Sequence, residues 1–331
     1  MPIGPRHFAV MLIVPAVLLT ACSSNSKPNH SSSPPAPGSS GASAKTTTTD
    51  VGVKVSGAFG ATPTLTIPAT PAPAALTQQI LTRGTGAPVA KDDTLVANYV
   101  GQTWVPKDGK AKAFDSSFER GAPAAFVIGA GKVIPGWDKT LVGKTLGSRI
   151  LVTVPPTDGY GASGQPSAGI TGTDTLVFVI DLVADYKPDA SAPGTVVKNL
   201  PTSGLPKITN VPGKKPTITS TAGVKAPTKP TSTLVVNGSG AKIDTAKTLV
   251  LQLVEADLAT GRHTQATWGQ APQTAAAQGV LGIADKLAGQ NIGSRVVVLL
   301  PATPATPATS TQAARPATPP TILIVDVVGQ F

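Results

Sequence analysis

The chain has 331 residues and a formal net charge of +10; 40% of it is hydrophobic, only 13% charged, and 34 glycines and 33 prolines interrupt it. That length allows about two domains with connecting material, and so many Gly and Pro residues against so few charges exclude a helical bundle or coiled coil. Three histidines (His7, His30 and His263) and one cysteine (Cys22) exclude a His or thiolate metal cluster, an internal disulfide and a Ser-His-Asp triad.

In chain order, Arg6 gives a short positive region and Phe8 to Leu19 an apolar run that is too short to span a membrane and suits a secretory signal. The run ends Leu19-Thr20-Ala21-Cys22, which resembles the bacterial lipoprotein box, whose cysteine becomes the lipidated first residue of the mature chain. Residues 1–21 are therefore expected to be a signal peptide, with Cys22 the lipidation site and the protein anchored on the extracytoplasmic face of the cell membrane. Residues 22–50 are rich in Ser, Pro, Thr and Gly and nearly free of large apolar side chains, so they read as a disordered tether.

The remainder contains one unit twice. Pro63-Thr-Leu-Thr66 matches Pro216-Thr-Ile-Thr219, and Gly84-Thr-Gly86 precedes Thr94-Leu-Val96 as Gly238-Ser-Gly240 precedes Thr248-Leu-Val250. Leu146-Gly-Ser-Arg149 then matches Ile292-Gly-Ser-Arg295, and Thr175-Leu-Val177 matches Thr321-Ile-Leu323, at a shorter offset. Within the first copy, residues 93–100, 149–154 and 175–182 are short β-branched runs bounded by Gly, Pro and Asp, and predict strands. Residues 136–143 predict a short helix stopped by Gly143. Strands with one helix predict an antiparallel sheet folded around it.

The boundaries that follow are 51–187 for the first unit, with its core at 76–186, and 234–331 for the second. Between them, residues 188–233 read as a basic Pro/Thr-rich linker, with six lysines from Lys198 to Lys229 against Asp189. No aromatic accompanies those lysines, so nucleic-acid binding is not expected, and the stretch reads as a solvated spacer.

Nine of the thirteen aromatic residues fall between Tyr99 and Tyr186, several beside turn residues, as loops lining a pocket present them. Six motifs here occur in order: residues 97–101 (ANYVG), 114–117 (FDSS), 133–137 (VIPGW), 143–149 (GKTLGSR), 159–162 (GYGA) and 175–178 (TLVF). Together they resemble the FKBP-type peptidyl-prolyl cis-trans isomerases across about residues 76–186. The resemblance implies an α+β fold in which an antiparallel half-barrel sheet wraps around a short helix, with an apolar cup between the two. It further implies Trp137 as the floor of that cup and Tyr99, Phe114, Val133, Ile134, Ile170 and Phe178 as its walls. The Ile134 N–H and the Tyr160 hydroxyl would bind substrate carbonyls, and Asp115 would sit at the rim, oriented by a basic neighbour or by Tyr99. No cofactor or metal is implied. The implied partners are proline-containing polypeptides and macrolide inhibitors.

Two departures bear on substrate range. Ala124 stands where the best-known single-domain members have Phe, which implies a wider cup, and the loop 164–172 lacks the family's common His. In the second unit, matching the motifs puts Leu253, Ile283 and Ile324 at the places of Tyr99, Trp137 and Phe178. Residues 264–278 show no FDSS element and residues 301–310 replace the Tyr160 loop, so this unit is expected to be a degenerate, non-catalytic copy. The expectation is an isomerase of X-Pro bonds acting on exported proteins, with a non-enzymatic peptide-binding chaperone as the alternative. A wall-associated structural protein is a third class.

Overall fold

The computed structural model describes residues 47–48, 50–105, 113–276, 287–305 and 317–331. The signal segment, Cys22, nearly all of the tether, Ile283 and residues 306–310 of the replacement loop lie outside them.

The first unit runs β1 (Thr47–Thr48), β2 (Lys54–Ser56), β3 (Thr64–Thr66), β4 (Thr77–Thr82), β5 (Thr94–Thr103), β6 (Ala113–Ser116), β7 (Ala124–Val127), α1 (Pro135–Leu141), β8 (Arg149–Val154) and β9 (Leu176–Tyr186). Its main sheet has the order β1-β4-β8-β9-β5-β6, with β7 also on β5; all pairings are antiparallel except β1 on β4. Every residue of β8, Arg-Ile-Leu-Val-Thr-Val, is buried, so apolar side chains fall on both of its faces rather than alternating with exposed polar ones. One face of the sheet, with Leu95, Tyr99, Ile150, Val152, Phe178 and Ile180, packs on Trp137 and Leu141 of α1. The other face, with Val100, Leu151, Val177 and Val179, packs on Val53, Leu65 and Trp104 under the β2–β3 hairpin. The unit is thus three layers: helix, sheet and hairpin.

A seven-residue helix does not stand alone in water. Here Pro135 pre-sets its first turn, Gly143 ends it at φ +80°, and burial of Trp137 and Leu141 holds it on the sheet.

The second unit repeats the plan with β10 (Thr195–Val196), β11 (Lys207–Thr209), β12 (Thr217–Ser220), β13 (Thr231–Asn237), β14 (Thr248–Asp257), β15 (His263–Ala266), β16 (Gln273–Ala276), β17 (Arg295–Leu300) and β18 (Thr321–Gln330). Its sheet order, β10-β13-β17-β18-β14-β15 with β16 on β14, follows the first position for position, except that β10 lies antiparallel on β13 where β1 lies parallel on β4. The stretch 188–233 is accordingly no free spacer. It carries the outer hairpin β11–β12 and the start of β13, with Leu200, Ile208, Ile218 and Val224 packed on the outer face of the second sheet. Single apolar residues spaced among Lys, Thr and Pro are enough to dock a hairpin, though too sparse to read as strands.

In both units a buried ion pair ties the outer hairpin layer to the sheet. Arg149 donates to both oxygens of Asp181 (2.6 and 2.7 Å) and to the carbonyls of Gly57 and Ala61 (2.5 and 2.7 Å), while the Gly60 N–H donates to Asp181 (2.7 Å). Arg295 donates to both oxygens of Asp326 (2.6 and 2.8 Å) and to the Lys214 carbonyl (2.6 Å), and the Ala192 N–H donates to Asp326 (2.7 Å). All four side chains are at most 1% exposed, so the bidentate geometry and the extra backbone partners are what make their desolvation tolerable.

The matched glycine and serine motifs have one shared cause. A Cβ on Gly84 would lie 2.0 Å from the Leu146 carbonyl oxygen, and one on Gly238 would lie 2.3 Å from that of Ile292. Across each contact the serine accepts from the glycine N–H: Ser148 from Gly84 and Ser294 from Gly238, both at 2.9 Å. The chain leaves the first unit under equally close control. The Pro188 carbonyl accepts from the Gly269 N–H and the Gln252 amide (2.9 Å each), and Ser191 accepts from the Trp268 indole (2.7 Å).

Candidate active site

The open end of the first sheet, α1 and the loops on either side of it enclose a cavity of about 460 Å³. Trp137, 4% exposed, forms the floor, and three rings meet it edge-on: Tyr99 at 5.4 Å, Phe126 at 5.0 Å and Phe178 at 5.3 Å between centroids. Phe114 stands edge-on to Phe178 at 5.7 Å and extends the wall. Edge-to-face contacts of this kind hold aromatic rings in a set orientation, so the pocket is shaped before anything enters it. Gly101 makes the arrangement possible, since a Cβ there would lie 2.7 Å from the Phe114 ring and 2.8 Å from the Phe178 ring.

The rim is polar. Tyr99 donates its phenol to Asp115 (2.5 Å), Arg120 donates to the other oxygen of Asp115 and to the Tyr99 hydroxyl (2.8 Å), and the guanidinium lies 5.4 Å from the centre of the Tyr99 ring. The two orienters expected as alternatives, a basic neighbour and Tyr99, therefore act together. Burial first, and the bond to Asp115 second, push the Tyr99 phenol up to about 12, so it stays a donor at physiological pH. The Tyr160 hydroxyl is also raised, by burial and then by the charge of Asp115, and both residues line the cavity. Lys139, bonded to Asp158 at 2.5 Å, holds the Tyr160 loop to the helix. The Ile134 N–H, in the turn entering α1, donates to no group among the described residues.

Of the nine residues read from the sequence, Tyr99, Phe114, Asp115, Val133, Ile134, Trp137, Tyr160 and Phe178 all line this one cavity. Ile170 does not. It is 2% exposed and packs into the core, because the tight turn that pairs it with Gln165 around Pro166–Ala168 draws its side chain inward. Phe126 was missed. It lies two residues beyond Ala124 on β7, hence on the same face, and supplies a wall where Ala124 has none.

The second unit shows what the same scaffold does without these rings. Leu253 pairs with Val325 as Tyr99 pairs with Ile180, and Gln252 pairs with Asp326 as Asn98 pairs with Asp181. Phe178 faces Val152 as Leu323 faces Val298, so its counterpart is Leu323 and not Ile324. The motif match ran one residue long, and a one-residue slip changes faces: Leu323 packs on the inner side, Ile324 on the outer. The FDSS element also has a counterpart. β15 pairs with β14 as β6 pairs with β5, which sets Thr264, Gln265 and Thr267 at the places of Phe114, Asp115 and Ser117. Thr267 accepts from the Leu253 N–H at 2.8 Å as Ser117 accepts from the Tyr99 N–H at 2.8 Å. Ala275 takes the place of Phe126, and Glu255 that of Gly101.

Comparison with known proteins agrees with this geometry. The family model described as FKBP-type peptidyl-prolyl cis-trans isomerase matches residues 86–183, all within the first unit. An FK506-binding protein of Streptomyces anulatus is 34% identical over 122 residues, 37% of this chain and 95% of that one. FK506-binding protein 1 of Aspergillus oryzae is 37% identical over 112 residues, covering 32% and 94%. The peptidyl-prolyl cis-trans isomerase FKBP15-1 of Arabidopsis thaliana is 44% identical over 94 residues, 28% of this chain; the match spans 58% of that protein's length.

Proposed function

This chain belongs to the FKBP-type peptidyl-prolyl cis-trans isomerases, and from that premise we propose that its first unit speeds cis-trans isomerisation of X-Pro bonds in polypeptide clients. The observation that carries the reading is the aromatic cavity of about 460 Å³ with Trp137 as its floor and Asp115 and Tyr160 among the residues that line it.

An X-Pro bond isomerises over a barrier of about 18–20 kcal/mol, in tens to hundreds of seconds unaided. At the top of that barrier the amide is twisted, its resonance is lost and its carbonyl carries less charge. An apolar pocket therefore favours the twisted form over the planar one, while water favours the planar one. The proline ring seats on Trp137 among Tyr99, Phe126 and Phe178. The Ile134 N–H and the Tyr160 hydroxyl hold the carbonyls on either side, which fixes the flanking backbone while the bond turns. Asp115, kept in place by Tyr99 and Arg120, faces the amide at the rim. Each factor of ten in rate needs only about 1.4 kcal/mol of such differential binding, and the chemistry needs no nucleophile. The same cup is the place for a macrolide of the kind that names the FK506-binding relatives.

The second unit lacks the rings and the acid, and we assign it no turnover. The apolar run and the Leu-Thr-Ala-Cys sequence ending at Cys22 support attachment through a lipid on the outer side of the membrane, with exported proteins as clients. Cys22→Ser moving the protein from the membrane fraction to the soluble one is the result expected of that arrangement.

Isomerisation of a Leu-Pro peptide by the full chain tests the catalytic reading, followed by cis-trans exchange in NMR spectra. Asp115→Ala and Tyr160→Phe are expected to lower kcat/KM about tenfold or more, and a folded chain with no turnover overturns the assignment.

A further inference from the structure

Among the described residues, the charged side chains that line the cup are Asp115 and Lys132, and they are not equivalent. Asp115 is matched by the Arg120 guanidinium and the Tyr99 phenol. The neighbouring carboxylates are also engaged. Asp158 is paired with Lys139, and Asp138 accepts from the N–H groups of Gly129 (2.6 Å) and Gly131 (2.8 Å). Lys132 is exposed and, among the described residues, forms no ion pair or hydrogen bond. Among the described residues, Lys132 is thus the charged side chain of the cup that an incoming peptide finds without a carboxylate partner.

The backbone that carries that charge is held in place. Gly129 and Gly131 have φ of +78° and +67°, and the two bonds to Asp138 clamp this turn against the start of α1. Lys132 follows directly and precedes Val133 and Ile134, the stretch whose N–H is assigned to the substrate backbone. A chain bound there passes the Lys132 ammonium within a residue or two of its proline. Because the backbone is already ordered, only the rotamer freedom of the side chains is lost when the ammonium meets a carboxylate, which keeps the gain to that of an exposed ion pair.

We propose that Lys132 is a specificity residue that favours clients carrying an acidic side chain immediately before or after the proline. The proposal rests on the isomerase reading above. Lys132 contributes to the encounter and to binding, equally in the planar and twisted states, so its effect falls on KM and leaves kcat nearly unchanged. An exposed ion pair sets the size: a Glu peptide exceeds its Lys counterpart about two- to fivefold in kcat/KM at low salt. The preference shrinks as the Debye length falls to about 3 Å at 1 M salt.

The test uses the full chain and short peptides with Glu, Gln or Lys placed before or after proline, read as kcat/KM ratios at low and high salt. A Leu-Pro peptide is measured beside them. The expected order is Glu above Gln above Lys in at least one of the two positions. Lys132→Gln should flatten that order and Lys132→Glu invert it, with kcat for each peptide changing less than KM. A Glu preference that survives Lys132→Glu would trace it to the overall charge of +10 and overturn the proposal, as would equal ratios in the unaltered chain. Absence of Leu-Pro turnover is a different result: it defeats the isomerase reading itself.

Discussion

The two sheets of this molecule share strand order, register, a buried Arg–Asp clamp and a hydroxyl bonded under the central strand, yet only one of them carries a cup. Tyr99, Phe114, Phe126 and Phe178 stand where the second sheet has Leu253, Thr264, Ala275 and Leu323. Every one of these changes lies on the inner face, toward the open end. The outer face and its clamp are unchanged in kind. The fold is therefore held from the hairpin side and the middle of the sheet, and the aromatic cup is an addition that the scaffold survives losing.

The comparison breaks most sharply at the clamps. Removing one partner of a buried pair leaves an uncompensated charge, which costs about 3–5 kcal/mol. Asp181→Ala and Asp326→Ala should each destabilise its own unit by that amount in urea unfolding of the full chain. A much larger loss at Asp181 alone would mean that the clamp serves the cup and not the fold.

Next in size is conversion of the first unit toward the second. Gly101→Glu introduces the residue found at position 255 and pushes aside the Phe114 and Phe178 rings, which sit 2.7 and 2.8 Å from the added Cβ. Isomerisation should fall by about tenfold to a hundredfold, equivalent to about 1.4–2.7 kcal/mol, with little change in the circular dichroism. Unaltered turnover would show that these two walls are dispensable.

Smaller effects are expected at the paired serines. Ser148→Ala and Ser294→Ala each remove the acceptor of one glycine N–H, for about 1 kcal/mol apiece in unfolding measurements. Near-equal values confirm that the motif is structural in both units.

The smallest effect is on pH dependence: Tyr99 and Tyr160 stand at the first unit's cup, whereas the Tyr186 phenol lies against Gly329 and Gln330 of β18 in the second unit. Burial is the first cause of a raised phenol in each, and with the bond to Asp115 it takes Tyr99 to about 12. A folded value above the unfolded one, about 10, means that the neutral phenols stabilise the fold fully below that pH. The contribution is lost as pH rises through the folded values. Tyrosinate absorbance should therefore titrate later in the native chain than in urea, and alkaline unfolding should begin in the first unit.

Much of this was legible in the sequence because it rests on close contacts that only certain residues allow. Gly84 and Gly238 with their serines, Arg149 and Arg295, and the chain from Tyr99 to Phe178 are all forced choices, and they recur in order. The hairpin at 207–220 was legible only in its second strand, where Pro216-Thr-Ile-Thr219 repeats Pro63-Thr-Leu-Thr66; Ile208 is isolated among Lys and Thr, and its burial depends on a sheet formed later in the chain. The counterpart of FDSS at residues 264–267 keeps a single hydroxyl and a strand pairing, which no residue pattern records. At β18, Thr321-Ile-Leu imitates Thr175-Leu-Val so well that the one-residue deletion before Asp326 was hidden. Ile170 was assigned to the wall by motif position, whereas a local turn buries it.

The three indoles report on these regions separately. Trp104 donates to the Thr70 carbonyl (2.8 Å) in the outer layer of the first unit and Trp268 to Ser191 (2.7 Å) in the second, while the buried Nε1 of Trp137 has no partner among the described residues. Titrating the intact chain with a Leu-Pro peptide and following the three indole N–H resonances is the most direct measurement. A shift of the Trp137 signal, with those of Trp104 and Trp268 unmoved, is the predicted result. Movement of Trp268, or a silent Trp137 while the peptide's cis and trans forms exchange, would contradict the assignment of binding and turnover to the first unit's cup.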